Sequence, residues 1–288
     1  MEDVLIFGLL RGALLAMVAF GFTLVLGVVG IVNFAHGAFV VFGALLTHYL
    51  VVELGFAYYA ALPIASAATG LLAVVVQRGF IARAFHLHPF MVLVQTFGIA
   101  IIITELGIQF WGSEERLLRI DLPFPPIIEI GDKFIPTMDV IVFVLALLSA
   151  GVLSLLLSRT EFGRAVQACR DNPSSARLSG INIDQTYERV MMISGIWAGL
   201  AGGLFMTISP QAPYMDFYWT IDAFLVVIIG GLGSMIGALV GGFFYGVLHF
   251  AAVYYFPTLS PALIFTALIA LLIVRPQGFF GAAEAIRK

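Results

Sequence analysis

Polar residues are scarce in this chain, and those that interrupt its apolar runs are the candidates for chemistry. Asn33-Phe-Ala-His36-Gly37 breaks a run from residue 4 to residue 52 that otherwise holds Arg11, His48 and no carboxylate or Lys. Asparagine is a strong N-cap, so the spacing predicts that Asn33 opens a second helix after a break at Gly30. A helix that starts within a membrane presents free N–H groups and the positive end of its dipole. Irregular backbone at that depth persists only where it is buried in protein or lines a watery cavity. One reading is that the break borders a solute path, with Asn33, His36, Thr96 and Ser234 as the polar groups in or beside broken spans. The other is a hairpin turn at the membrane interface, capped by Asn33. His36, His48, His86, His88 and His249 form no paired-ligand spacing, so no metal site is expected. Glu105 and Asp222 lie inside apolar runs, where ionisable groups are costly. They are candidates for a proton relay, and Glu105 for an ion pair with an outer-loop base. Arg11 is expected to pair with a carboxylate or to reach a headgroup.

The segment Asn172-Pro-Ser-Ser-Ala-Arg-Leu-Ser-Gly180 is punctuated as a helix at both ends. Asn172 can cap, Pro173 suits the first helical position, and Gly180 suits a left-handed C′. A helix of about two turns, Pro173 to Ser179, follows. Ala176 and Leu178 offer apolar contacts and Arg177 a charge. Such a helix can dock a soluble partner; alternatively its basic loop lies on anionic lipid. Gly195, Gly199 and Gly203 recur every four residues, as do Gly233, Gly237 and Gly241. That spacing lets helix backbones approach closely and reads as packing. The only lysines are Lys133 and Lys288, and neither follows a Gly-x-x-x-x-Gly phosphate loop. Hydrolase elbows, zinc-protease motifs and Rossmann fingerprints are absent too. The chain is thus not expected to be an enzyme or to hydrolyse ATP itself.

The elements that must position these residues are membrane helices. The 288 residues are 61% hydrophobic and 11% charged, with mean hydropathy +1.06, against roughly 25% charged in soluble domains. A net charge of −3 argues against nucleic-acid binding. Cys169 alone excludes an intrachain disulfide and any Cys-rich metal site. The N-terminus reads as the start of a span and not as a removable signal. At about 20 apolar residues per helix, spans fall near 4–28, 34–53, 57–79, 90–111, 137–158, 187–208, 220–256 and 259–275. The segment 220–256 is too long for one helix and breaks at Gly230 to Ser234. The fold class is therefore an all-α polytopic membrane protein with eight or nine segments and broken helices, forming one domain over 1–288. Gly30, Gly37, Ala38 and Val40 match Gly230, Gly237, Ala238 and Val240, a weak sign of a two-half repeat. The stretches 77–89 and 159–189 and the tail hold Arg78, Arg83, Arg159, Arg164, Arg170, Arg177, Arg189, Arg275, Arg287 and Lys288. The positive-inside rule makes these cytoplasmic and the N-terminus external. The loop 112–136, with Pro123, Pro125, Pro126 and Pro136, is then external; its Arg116, Arg119 and Lys133 are diluted by Glu114, Glu115, Asp121, Glu129 and Asp132.

Four stretches, in order along residues 8 to 281, carry a resemblance. They are Gly27-Val-Val-Gly-Ile-Val-Asn-Phe-Ala-His-Gly37, Ala165 to Asn182 ending in Leu-Ser-Gly-Ile-Asn, Ile229-Gly-Gly-Leu-Gly-Ser-Met-Ile-Gly-Ala238, and Arg275-Pro-Gln-Gly-Phe-Phe-Gly281. Together they resemble the LivH-type permeases of bacterial ABC importers for branched-chain amino acids. The resemblance implies an inner-membrane permease subunit with a longer LivM-like partner, two cytoplasmic ATPases that bind ATP and Mg, and a periplasmic substrate-binding protein. It implies that 165–182 is a diverged coupling loop. This chain reads Val166-Gln-Ala-Cys169 where a plain Glu-Ala-Ala would stand, so the docking role rests on position and helix punctuation. Related permeases carry urea, amides or other small carboxylates, so the resemblance leaves the solute open. Two other classes remain at this level: a self-contained proton-coupled transporter or channel leaning on Glu105, Asp222 or His36, and a membrane enzyme or scaffold.

Overall fold

The computed structural model describes residues 1–84, 88–120, 124–131 and 133–281. His86, Asp121, Pro123, Asp132, Arg287 and Lys288 lie outside the described residues. The chain begins with α1 (Glu2–Val28) and α2 (His36–Val52), then α3 (Tyr58–Val76), which runs through a π turn at Gln77–Ile81 into α4 (Ala82–Ala84). Next come α5 (Pro89–Trp111), the hairpin β1 (Ile127–Ile130) and β2 (Lys133–Pro136), and α6 (Thr137–Arg159). The segment after α6 holds α7 (Glu161–Asp171) and α8 (Pro173–Leu178); α9 (Ile183–Phe205), α10 (Asp216–Gly230), α11 (Met235–Tyr255) and α12 (Ser260–Val274) complete the order. Among the described residues seven helical segments are long and apolar enough to cross a membrane, and α2 is a shorter apolar helix. This is an all-α polytopic membrane protein with broken helices. The expected break inside 220–256 separates two helices, α10 and α11.

The chain divides into two compact units, and each draws on both ends of the sequence. One comprises Met1–Thr23, Asp121–Ala150 and Asp222–Lys288; the other comprises Leu24–Ile120 and Gly151–Ile221.

In the second unit α9 packs between α2 and α3. Its first turns carry Asp184, Glu188 and Arg189, yet its far half is largely buried. Glycine replaces apolar bulk there. A Cβ on Gly195 would meet Thr69 and Gly70, one on Gly199 would meet Thr69 and Ser66, and one on Gly203 would meet Leu62 and Thr47. A Cβ on Gly202 would strike the Val40 carbonyl, and Gly43 sits directly against Gly199. Backbones this close gain dispersion contacts that lipid cannot supply. The ion pair of Arg78 with Glu188, at 2.6 Å, fixes the π turn beside the start of α9.

The first unit uses the same device where the sequence reading had not placed it. Gly8 and Gly12 of α1 face Val247, Gly242 and Phe243 of α11, and Gly246 lies against Gly12. Gly237 and Gly241 let α11 fold back on α10 at Gly230 and Val226. Gly233 is not part of that ladder: it lies in the turn before α11, at φ +77°. The Arg275-Pro-Gln-Gly segment returns to the same break. The N–H groups of Phe279 and Phe280 donate to the carbonyls of Ile229 and Gly230, each at 2.9 Å. Gly278 takes φ +72° with its α-carbon against Ile228 and Gly231, which only glycine tolerates. Two of the sequence motifs are therefore halves of one contact.

The loop 112–136 holds a short antiparallel hairpin in place of plain coil, with Ile127 opposite Pro136. Lys133 in its second strand pairs with Asp3 and, at 3.4 Å, with Glu2. These two acids hold the Lys133 ammonium above the ordinary lysine range.

Replacing Gly202 with Val is expected to cost about 1–3 kcal/mol of stability by overpacking α9 against α2. Gly151→Ala, with no atom near its added Cβ, should not lower the thermal midpoint in detergent.

Candidate functional site

The break between α1 and α2 begins at Gly30, with φ +75°. Asn33 does not cap α2 as the sequence suggests. The helix starts at His36, the capping position is Ala35, and no side chain of α2's own approach segment bonds its first turn from that position. Asn33 instead makes a tight turn: its Oδ1 accepts from Ala35 N at 3.1 Å, and its carbonyl accepts from His36 N at 3.2 Å. The remaining donors are met by other helices. Thr96 Oγ1 on α5 accepts from Phe34 N at 3.1 Å. Thr220 Oγ1 on α10 accepts from Gly37 N at 3.0 Å, and shares its own proton between the carbonyls of Phe34 and Asp216. Gly37 is required because a Cβ there would collide with Asp216 and Thr220.

The structure thus brings Asn33, His36 and Thr96 together, all at most 2% exposed. Ser234 belongs to the other unit, where it caps α11 by accepting from Gly237 N at 3.0 Å. The N–H groups of residues 34–37 are all spoken for, so no free donors remain among them to hold an anion. The Nδ2 of Asn33 is buried without a hydrogen-bond partner among the described residues.

Thr220 escaped the sequence reading. A threonine in a helix ordinarily bonds its own preceding turn, and nothing in the sequence distinguishes one that also reaches a distant backbone. The phenylalanines were equally silent. Phe34 stacks on Phe217 with centroids 6.3 Å apart, and Phe97 meets both edge-on at 6.1 and 6.2 Å.

The other ionisable residues are dispersed. Glu105 is on the exposed side of α5 and has no ion pair among the described residues. Asp222 accepts from the Tyr245 hydroxyl at 2.5 Å. The Arg11 guanidinium is close enough to act electrostatically on Asp139 and His249. Among the described residues no group of three or more His, Cys, Asp or Glu could hold a metal ion.

The segment 159–189 contains two helices where one was expected. Thr160 caps α7 by accepting from Gly163 N at 3.1 Å, and α7 buries Gly163, Val166 and Cys169 on one side. Asn172 then caps α8, accepting from Ser175 N at 3.0 Å. At its far end Gly180, with φ +84°, permits a double closure. Ile181 N donates to Ala176 O and Gly180 N to Arg177 O, both at 3.1 Å. Asn182 at once caps α9. Ala176 is 3% exposed, Leu178 is 91% exposed, and Arg177 also faces outward.

A chain of stacked membrane helices with buried breaks and a stiff, apolar-tipped connector has the parts of a membrane permease. The family model for the permease component of branched-chain amino acid transport systems matches residues 4–274, and the chain belongs to that family. It is 27% identical to the high-affinity branched-chain amino acid transport system permease protein BraD of Pseudomonas aeruginosa, over 97% of this chain and 95% of that one. It is 29% identical to LivH of Salmonella typhimurium, over 96% of this chain and 94% of the relative. A probable LivH of Methanocaldococcus jannaschii is 29% identical over 93% and 89%. The family is one of transport permeases, not ATPases, and its multi-pass membrane character agrees with the helices described here.

Thr220→Val should leave Gly37 N without its acceptor and lower stability by about 1–3 kcal/mol, read as a reduced thermal midpoint in detergent. Thr220→Ser, which keeps the hydroxyl, should recover most of it.

Proposed function

We propose that this chain is the membrane-spanning subunit of an ABC importer and translocates a branched-chain or similar hydrophobic amino acid by ATP-driven alternating access. The observation that carries the reading is α8. It is fixed at both ends, joined through α7 and Asn182 to two long helices, and presents Leu178 to the outside, all within a chain of permease-family sequence. A proton-coupled carrier acting alone is not favoured by the family. Asp222 is bonded to the Tyr245 hydroxyl.

In this reading Leu178 and Arg177 dock a cytoplasmic ATPase, while Asn172, Pro173, Ala176 and Gly180 hold the docking helix in shape. ATP and Mg are bound by two such ATPases. A second permease subunit, similar to LivM, completes the path, and a periplasmic protein delivers the solute. Asn33, with its unspent amide donor, is the break residue best equipped to meet a solute when α2 moves. The N-terminus is external and the tail cytoplasmic. Two ion pairs support this arrangement: Lys133 ties the loop 112–136 to the N-terminus, and Arg78 with Glu188 ties the π turn to the start of α9.

The test is labelled-leucine uptake into proteoliposomes containing the permease pair, ATPases and binding protein, with ATP inside. Leu178→Asp should abolish ATP-dependent uptake and ATPase co-purification while the thermal midpoint of this chain stays unchanged, because the side chain contacts little of its own fold. Uptake by this chain alone, or uptake independent of ATP, would overturn the reading.

A further inference from the structure

The cleft between α5 and the start of α10 adjoins the first break, sharing Phe97, Asp216 and Phe217 with it. Its volume is about 220 Å³, and Phe97, Ile101, Thr104, Glu105, Asp216 and Phe217 line it. Phe97 and Phe217 are 43% and 48% exposed, and Phe34 packs against both from within. Thr104, on the wall, has a buried hydroxyl without a hydrogen-bond partner among the described residues.

Glu105 is the one ionisable side chain of α5. It lies on the same exposed row as Phe97, Ile101 and Gln109, each a helical turn apart. A carboxylate turned outward from a membrane helix does not face hydrocarbon without a cost of roughly 2.5–3.5 kcal/mol on insertion scales. In the membrane this row therefore faces water or protein. Asp216 brings a second carboxylate to the same cleft, from the first turn of α10. Two acids over an aromatic floor favour a cation. A metal ion of the calcium or magnesium type wants an octahedral or larger set of oxygens, and two carboxylates among phenylalanines do not provide one. An organic ammonium suits the site: the carboxylates take its charge, the ring faces attract it further, and Phe97, Ile101 and Phe217 take an aliphatic body.

We propose that Glu105 and Asp216 form a binding subsite for the primary ammonium group of the transported solute, with Phe97, Ile101 and Phe217 receiving its apolar side chain. This deepens the permease reading and rests on it. The same ammonium chemistry is present in phosphatidylethanolamine headgroups, so the test separates the two sources.

The experiment uses the assembled transporter purified without its binding protein. Binding of labelled leucine is measured by scintillation proximity, with isopentylamine and 4-methylpentanoate as competitors that keep only the ammonium or only the carboxylate. Isopentylamine should compete and 4-methylpentanoate should not. Glu105→Gln and Asp216→Asn should each weaken leucine and amine binding at least tenfold, Glu105→Asp should recover part of it, and co-purification of the partner subunits should be unchanged. Equal competition by the acid, or unaltered binding in both variants, would overturn the subsite. So would a loss of partner co-purification, which would give the cleft to a cationic side chain of the partner. An effect seen in phosphatidylethanolamine vesicles and absent in phosphatidylglycerol vesicles would assign it to lipid. Uptake by the wild-type transporter is run in parallel. If leucine is not carried but isopentylamine binding is lost in Glu105→Gln, the subsite stands and the cargo assignment fails. If leucine uptake is normal while the variants bind unchanged, the permease reading stands and the subsite fails.

Discussion

Every peptide group buried in a membrane must find its hydrogen bond inside the protein, because hydrocarbon offers none. An unbroken helix meets that demand by itself. This chain breaks its helices twice within apolar sequence, and most of its distinctive residues answer the resulting deficit. At the first break the solution is imported: Thr96 and Thr220 reach in from α5 and α10 to take the N–H groups of Phe34 and Gly37. At the second it is partly local, with Ser234 capping α11, and partly distant, with Phe279 and Phe280 covering the last carbonyls of α10. The two breaks look alike in sequence and share a glycine at positive φ, yet their polar groups are satisfied by different means. The likeness of the two breaks in sequence does not extend to their bonding.

Hydropathy does not rank these helices by burial. The most apolar helices need not be the most buried, since lipid receives an isoleucine as well as protein does. α12 is rich in aliphatic residues and largely exposed, whereas α9 carries charges, one serine and several glycines and is largely buried in its unit. What earns a central place is the absence of side chains, which allows backbones to touch. The ion pair at the start of α9 and the glycines farther along mark the two ends of one design: a polar foot and a thin stem between α2 and α3.

Spans, breaks and the capped α8 were legible in the sequence because each depends on a few neighbouring residues. Asn172, Pro173 and Gly180 specify α8 to within one residue of its end, since capping is a local bargain between side chain and backbone. Asn33 was misread for the same reason. The local signal of an N-cap is genuine, but two threonines far along the chain satisfy the break and leave Asn33 free to make a turn three residues earlier. Thr220, the Gly8 and Gly12 contact with α11, and the cleft at Glu105 and Asp216 all join residues remote in sequence, and hydrophobic periodicity carries no record of such pairings. α7 was missed because its glycine and small residues hide a narrow buried face within a basic loop.

The closure of the second break by Phe279 and Phe280 sets an order on biosynthesis. α10, the turn and α11 enter the membrane before residues 278–280 leave the ribosome. Until then the carbonyls of Ile229 and Gly230 have only water or an accessory protein to bond. These two bonds can therefore form only after α12 has been made. Insertion of this unit is completed from its last segment backward.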